Sequence, residues 1–437
     1  MKPYDTYKDS GIEWIGEIPD HWEAIPMRFL LRQKITDGPH ETPKFLSDGI
    51  PFLSVDGIQD GELTFEGCRK ISIEDHKRFK QKCNVEKYDI LMGKAASVGK
   101  VAQVKVDFEF SIWSPLALLK PNHKKITSSY FEYFLKSSYA KDNANILSTF
   151  NTQQNISMTD IPRIYYILPI SIDEQTAIAY HLDHKTAEID ALIADKKRLL
   201  ELYEEEKTTI VNQAVTKGID PKLKMKDSGV EWLGEIPEHW EMKRLKYVST
   251  KIGDGIHTTP NYLQGTEIYF INGVNLNNGE ISLTEKTLSV PIEDYEKFKI
   301  ELQYGSILIS LNGTIGKLAF YNNENVILGK SAAYIELKDF VFNKFIFYVL
   351  KSQYINNYFE NSFSGTTIKN LSLYTLRNTP FPLMEIDEQR SIVQFIETEC
   401  TRIDAKIAKT KKLIELLTEY RTALISEVVT GKIKVMD

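Results

Sequence analysis

The chain has 437 residues, 42% hydrophobic and 26% charged, the balance of an ordinary globular protein and not of a disordered or fibrous one. Its net charge of −6 excludes a globally basic nucleic-acid binder: residues 1–172 balance 22 Lys+Arg against 22 Asp+Glu, so a DNA-facing surface must be a local patch. No apolar run reaches the roughly 18 residues of a membrane span, the polar first ten residues resemble no signal peptide, and three scattered cysteines predict reduced thiols in the cytoplasm.

In chain order, the first distinctive block is KDSGIEWIGEIPDHWE at residues 8–23. It returns at residues 226–241 as KDSGVEWLGEIPEHWE, with 13 of 16 residues identical at an offset of 218. Residues 173–216 then align without a gap with residues 387–430 at an offset of 214, sharing DEQ, IDA and a terminal VT. One unit is used twice. Trp14, Trp22, Trp232 and Trp240 all lie in the repeated block. Exposed, they would stack on unpaired bases. Identical blocks discriminate poorly between two targets, however, so a packing role that joins each globular domain to a helix is preferred.

The middles of the two copies diverge over a common skeleton. ITDGPHETP from Ile35 answers IGDGIHTTP from Ile252, and DILMGKAASVGKVA from Asp89 answers SILISLNGTIGKLA from Ser306. TQQNIS from Thr152 resembles TIKNLS from Thr367. Short β-rich runs (90–92, 101–106, 307–310, 334–337) alternate with helical stretches (130–138, 342–352), which predicts α+β domains. Reading DNA needs amides, hydroxyls and cations on loops. Three loop pairs supply them. The first contributes Thr36, Asp37, His40 and Lys44, with Asp254, His257, Thr258 and Asn261. The second contributes Lys94, Ser97 and Lys100, with Asn312, Thr314 and Lys317. The third contributes Asn151, Gln153, Gln154 and Asn155, with Thr366, Thr367, Lys369 and Asn370. Gly38, Gly99, Gly255, Gly313, Gly316 and Gly365 allow close backbone approach. The competing reading is ordinary turn chemistry, because the same residue types populate any loop.

From Asp173 the pattern becomes helical. Ile189, Ile193, Lys196, Leu200, Tyr203, Lys207 and Ile210 follow steps of four and three, as do Ile403, Ile407, Thr410, Ile414, Leu417, Arg421 and Leu424 in the second copy. Each helix is free of Gly and Pro and stops near Gly218 or Gly431. Each seam is too narrow for a globular core and has an equivalent partner. The two helices are therefore expected to pair as a rod of roughly 45 Å, rather than each packing only on its own domain.

Catalytic motifs are missing. The sequence has no phosphate-binding G-x-x-x-x-G-K-[ST], no Asn/Asp-Pro-Pro-aromatic tetrapeptide of an adenine methyltransferase, and no Gly-rich turn suited to S-adenosylmethionine. His181 and His184 are three apart on a helix, but the second copy does not keep the pair, so no metal site is expected.

Taken together, SGIEWIGEIPDHW and SGVEWLGEIPEHW with DEQTAIAYHLD…IDALI and DEQRSIVQFIE…IDAKI resemble the specificity subunit of Type I restriction–modification systems, over essentially the whole chain. The resemblance implies two target-recognition domains, 1–172 and 221–386, alternating with helical regions 173–220 and 387–437 that form an antiparallel coiled coil. It implies that each domain reads half of a bipartite double-stranded DNA site. It implies docking of two modification subunits, which carry the adenine methyltransferase chemistry, and of restriction subunits that are motor nucleases. No catalytic residue and no cofactor is then expected on this chain; S-adenosylmethionine, ATP and Mg belong to the partners. The rival readings are an enzyme with its own active site and a stand-alone DNA-binding regulator or scaffold.

Overall fold

The computed structural model of the chain describes residues 2–12, 15–95, 97–150, 154–363 and 369–435, the side chains of Thr149, Phe150 and Gln154 excepted. The chain forms two compact units: unit 1 is Met1–Lys197 with Lys411–Asp437, and unit 2 is Arg198–Thr410. Two long helices, Ile172–Lys217 and Ile386–Val429, each contribute one end to each unit.

The central sheet of unit 1 is antiparallel, in the order Val101–Gln103, Ile90–Gly93, Leu116–Leu119, Thr36–Asp37. Ile90–Gly93 and Leu116–Leu119 are buried at every residue. A strand covered on both faces reads as a continuous apolar run, and successive side chains serve opposite faces. Thus Ile90, Met92, Ala117 and Leu119 enter a core with Tyr130, Phe131 and Phe134 of helix Ser128–Lys136, while Leu91, Leu116 and Leu118 enter another with Val55 and Phe110. Unit 2 repeats the design in the order Ser249–Asp254, Ala332–Leu337, Ile307–Ser310, Leu318–Phe320. Ile307, Ile309, Ala333 and Ile335 face its larger core; Leu308, Ala332 and Tyr334 face the smaller. Beside the central sheet, Ile50–Leu53 runs parallel to Ser111–Ile112 and antiparallel to Arg69–Ile71, and Tyr269–Ile271 runs parallel to Val326–Leu328. The α+β class expected from the sequence is observed. The helix expected over 130–138 ends at Lys136 because Ser137 is extended (ψ 153°), and its hydroxyl caps the next helix by accepting from Ala140 N–H at 3.2 Å.

The repeated blocks dock each domain on a long helix. Trp22 and Trp240 are fully buried. Their indole Nε1 atoms donate to Glu174 at 3.0 Å and to Glu388 at 2.9 Å, and His21 and His239 reach the same carboxylates at 3.0 and 2.9 Å. Tyr4 adds a third donor to Glu174 at 2.9 Å; burial and that hydrogen bond push its phenol far above its ordinary pKa. The next residue, Gln175, bonds Thr127 N–H and the carbonyls of Lys125 and Pro169; Gln389 bonds Phe342 N–H and the carbonyls of Phe340 and Met384. A buried amide with both ends satisfied fixes orientation, which accounts for DEQ in both copies. Trp232 is half exposed and stacks on Tyr358 at 5.8 Å, and Trp14 lies outside the described residues.

Within unit 1 the start of the first long helix lies antiparallel to the end of the second, with Arg421 paired to Asp190 at 2.8 Å. Ile189 and Leu424 enter the domain core, with Ile193 and Leu417 packed against it. Tyr130 Oη donates to Val429 O at 3.0 Å, and Ser138 N–H donates to Ser426 Oγ at 2.9 Å. Within unit 2 the roles exchange. Lys207 pairs with Asp404 at 2.6 Å, Lys406 Nζ lies 5.4 Å from the Tyr203 ring centroid, and Gln353 N–H donates to Asn212 Oδ1 at 2.7 Å. Ile403 and Ile407 are buried; Leu200, Tyr203, Ile210 and Ile414 are half-buried. The seam residues therefore do both jobs that the sequence set as alternatives: helix pairs with helix, and each helix end also completes a domain core. The left-handed glycines Gly218 (φ 76°) and Gly431 (φ 74°) end the two helices, where a Cβ on Gly431 would strike Pro19 at 2.4 Å. Among the described residues no helix is long and apolar enough to cross a membrane, and Cys68, Cys83 and Cys400 are free thiols.

Candidate nucleic-acid interface

In unit 1 the three loops converge. Gly38 lies so close to the main chain at Ile112 that a Cβ would sit 1.9 Å from the Ile112 carbonyl oxygen. Next to it, buried Asp37 accepts from Lys82 Nζ at 2.7 Å, with His40 Nε2 at 3.0 Å and Lys94 Nζ at 3.3 Å. Burial alone would raise the Asp37 carboxyl. The hydrogen bond and charge of Lys82, joined by Lys94, outweigh it and hold the group below the usual carboxylate range. The second and third loops join through the main chain: Ile156 N–H donates to Lys94 O at 2.9 Å, and Ala95 bridges to Asn155.

Unit 2 keeps the backbone arrangement and changes the side chains. Leu371 N–H donates to Leu311 O at 2.7 Å, and Asn312 bridges to Asn370. Gly255 is pressed on Leu328, where a Cβ would meet the carbonyl oxygen at 2.1 Å. The position of Lys94 is held by Leu311. Asp254 pairs with exposed His257 at 2.9 Å, as Asp37 does with His40, and at another point of the unit Ser331 Oγ donates to Asn272 Oδ1 at 2.8 Å and accepts from Gly273 N–H at 3.0 Å.

Several sequence-expected DNA ligands are thus turned inward. Lys94 is buried on Asp37, so it braces the loop instead of presenting its charge. Asp37 is buried, and the half-buried Thr36 hydroxyl points at Cys83 Sγ, 3.8 Å away. Burial pushes the Cys83 thiol up to about 11. Asn261 is exposed but engaged with Asp294, through its main-chain N–H at 2.6 Å and its side chain at 3.3 Å. Gly38 and Gly255 bring their backbone close to the protein's own chain, not to an open face. Ser97, Asn312 and Lys317 are half-buried, with Lys317 N–H on Ser310 Oγ at 2.8 Å. His40, Lys44, Lys100, Asn155, His257, Thr258, Thr314, Lys369 and Asn370 are exposed. Of these, Lys100 Nζ touches Ile58 O at 3.2 Å and Lys369 Nζ lies 5.5 Å from the Phe363 ring centroid. Asn151, Gln153, Thr366, Thr367 and Gly365 lie outside the described residues, as does the Gln154 side chain.

Two groups escaped the sequence reading. Lys82 reaches Asp37 from the end of helix Ile73–Lys82, and no motif marks it. The exposed Arg69 lies over two rings, its guanidinium carbon 4.8 Å from the Phe45 centroid and 5.5 Å from the Trp113 centroid, beside a cavity of about 250 Å³. The available signal was that Trp113 is the one tryptophan outside the repeated block. Among the described residues no group of three His, Cys, Asp or Glu side chains is placed to hold a metal ion.

Residues 41–202 and 237–419 match the family model described as Type I restriction modification DNA specificity domain. The chain is 26% identical over 440 residues to the putative type I restriction enzyme MjaX specificity subunit of Methanocaldococcus jannaschii, covering 96% of each. It is 23% identical over 402 residues to the StySPI specificity subunit of Salmonella potsdam, covering 87% of this chain and 82% of that one. Among solved structures, a chain reported under complex assembly and conformational transition of the type I R-M system matches with TM-score 0.70 at 14% identity, over 95% of this chain and 99% of that one. The HsdS subunit from Thermoanaerobacter tengcongensis matches with TM-score 0.57 at 14% identity, over 95% and 98%. These two likenesses speak for the fold. With two matched domains that together span most of its length, the chain belongs to the Type I restriction modification DNA specificity family and is a DNA-recognising specificity subunit of a type I restriction–modification system.

Proposed function

We propose that the chain is a non-catalytic subunit in which each unit reads one half of a bipartite, asymmetric DNA target. The observation that carries this reading is a shared loop scaffold with different exposed chemistry: Glu41 and Lys44 of the first loop in unit 1 stand where unit 2 has Thr258 and Asn261. Two frames whose exposed loop side chains differ at equivalent positions select different base edges. The exposed members of each cluster, among them Lys44 and Lys100 in unit 1 and Thr258 and Lys369 in unit 2, are the candidates for contact. The long helices dock modification subunits, which supply methyl transfer with S-adenosylmethionine; restriction subunits, with ATP and Mg, complete the complex. Support for docking comes from apolar side chains left exposed on both helices, such as Leu192 and Tyr180 on the first and Leu416 and Tyr420 on the second. The test is to co-express the chain with its modification subunit, isolate the complex and map methylated sites across a genome. A split motif with two different halves is expected. A continuous or palindromic motif, or methylation by the chain alone, overturns the reading.

A further inference from the structure

Arg69 is an exposed arginine that lies over two aromatic rings. Its guanidinium lies over Phe45 and Trp113 and makes no ion pair among the described residues. Contact with two rings restrains the side chain, and among the described residues no hydrogen bond or ion pair engages its donors, so less side-chain freedom remains to be lost on binding. The platform belongs to the loop cluster: the Trp113 main chain lies against Gly38, and Leu46 N–H donates to Lys70 O at 2.9 Å, tying the loop that carries Phe45 to strand Arg69–Ile71. Asp56 and Glu66 line the same cavity, both exposed and neither ion-paired among the described residues.

That combination selects among DNA groups. Two carboxylates beside one guanidinium repel a phosphate, which needs cations alone. A G·C pair presents in the major groove the acceptors O6 and N7 of guanine beside the N4 amine of cytosine, which suit an arginine fork and a carboxylate respectively. We infer that Arg69 is a specificity-determining residue of unit 1 that reads a guanine, with Asp56 or Glu66 accepting from the amine of the paired cytosine. Unit 2 does not repeat this reader at the equivalent positions. Phe270 N–H donates to Leu288 O, which places Leu288 where Arg69 stands opposite Phe52, and the parallel strand pair places Gly329 where Trp113 stands. The inference rests on the DNA-reading role of the units and adds the base.

The experiment is selection of the full-length chain on a randomised duplex library, followed by affinity measurements on the selected site and its single-base variants. One half of the motif should hold a guanine at a fixed position, with roughly 5- to 150-fold preference over the other bases. Arg69→Ala should abolish that preference at this one position and leave the other half unchanged. Arg69→Lys keeps the charge and the packing stem, so it tests the fork if the alanine variant folds poorly; it should lose the preference as well. Uniform weakening across all sequences with an unchanged motif would make Arg69 a phosphate contact and overturn the assignment, as would a motif indifferent to both substitutions. A wild-type chain that selects no motif would instead remove the DNA-reading role itself.

Discussion

Units 1 and 2 share a frame and differ in how their loops are held. Gly38 and Gly255 press on equivalent strands, and Lys94 O and Leu311 O each accept a main-chain bond from the third loop. Inside that frame the Asp–His pair recurs, Asp37 with His40 and Asp254 with His257, and among the described residues lysines join it only in unit 1, through Lys82 and Lys94. The same backbone contacts therefore recur in both units while the side chains packed between them differ.

The largest effects should be symmetric. Trp22→Ala and Trp240→Ala each remove a fully buried indole and its bond to Glu174 or Glu388, at a cost of about 3–5 kcal/mol. Hydrogen exchange of each unit should show the two losses agreeing within about 2 kcal/mol, the spread that context alone gives such costs. A marked imbalance would break the equivalence of the frames.

The loop clusters should respond unequally. Asp37→Ala strands the buried Lys94 ammonium, and the cost is about 3 kcal/mol. Asp254→Ala releases only the exposed His257, for less than about 1 kcal/mol. Equal losses on denaturation would mean that the charge cluster is not what holds unit 1. The sign with pH follows from the lowered Asp37 carboxyl. Its contribution is fully present above the ordinary aspartate value of about 3.9 and is lost as pH falls through the lower native value. Amide protection of residues 36–40 should fall in that acid window, and Asp37→Asn should remove the dependence.

Smaller effects belong to the helices. Asp190–Arg421 and Lys207–Asp404 are partly exposed pairs worth about 0.2–1 kcal/mol each, and double-mutant cycles should return similar values that shrink in salt. The mildest test is chemical. With its thiol pushed up to about 11, Cys83 should react last with a thiol reagent at pH 8, behind the half-buried Cys68 and Cys400. Early labelling of Cys83 would mean that the loop around Thr36 opens readily.

The repeat, the long helices and the buried strands were legible because each leaves a periodic or duplicated trace in the chain. KDSG…HWE and DEQ recur because a buried Trp–Glu bond and a saturated glutamine tolerate little change, and Ile307–Ser310 is apolar throughout because both of its faces are covered. The loop residues were legible only as residue types. Lys94 and Lys44 look alike in sequence, yet one is folded onto Asp37 and the other is exposed.

By itself the sequence determined the duplication, the α+β class, the extent of the helices and membership of a DNA-specificity family. Only the tertiary structure decided that each unit is closed by the helix end of the other repeat, that Lys82 joins Asp37 across 45 residues, and that Arg69 lies over Phe45 and Trp113. The reason is physical. Periodicity and local propensity are written along the chain, whereas the partner of a charge or a ring depends on contacts between segments far apart in sequence, which no local pattern records.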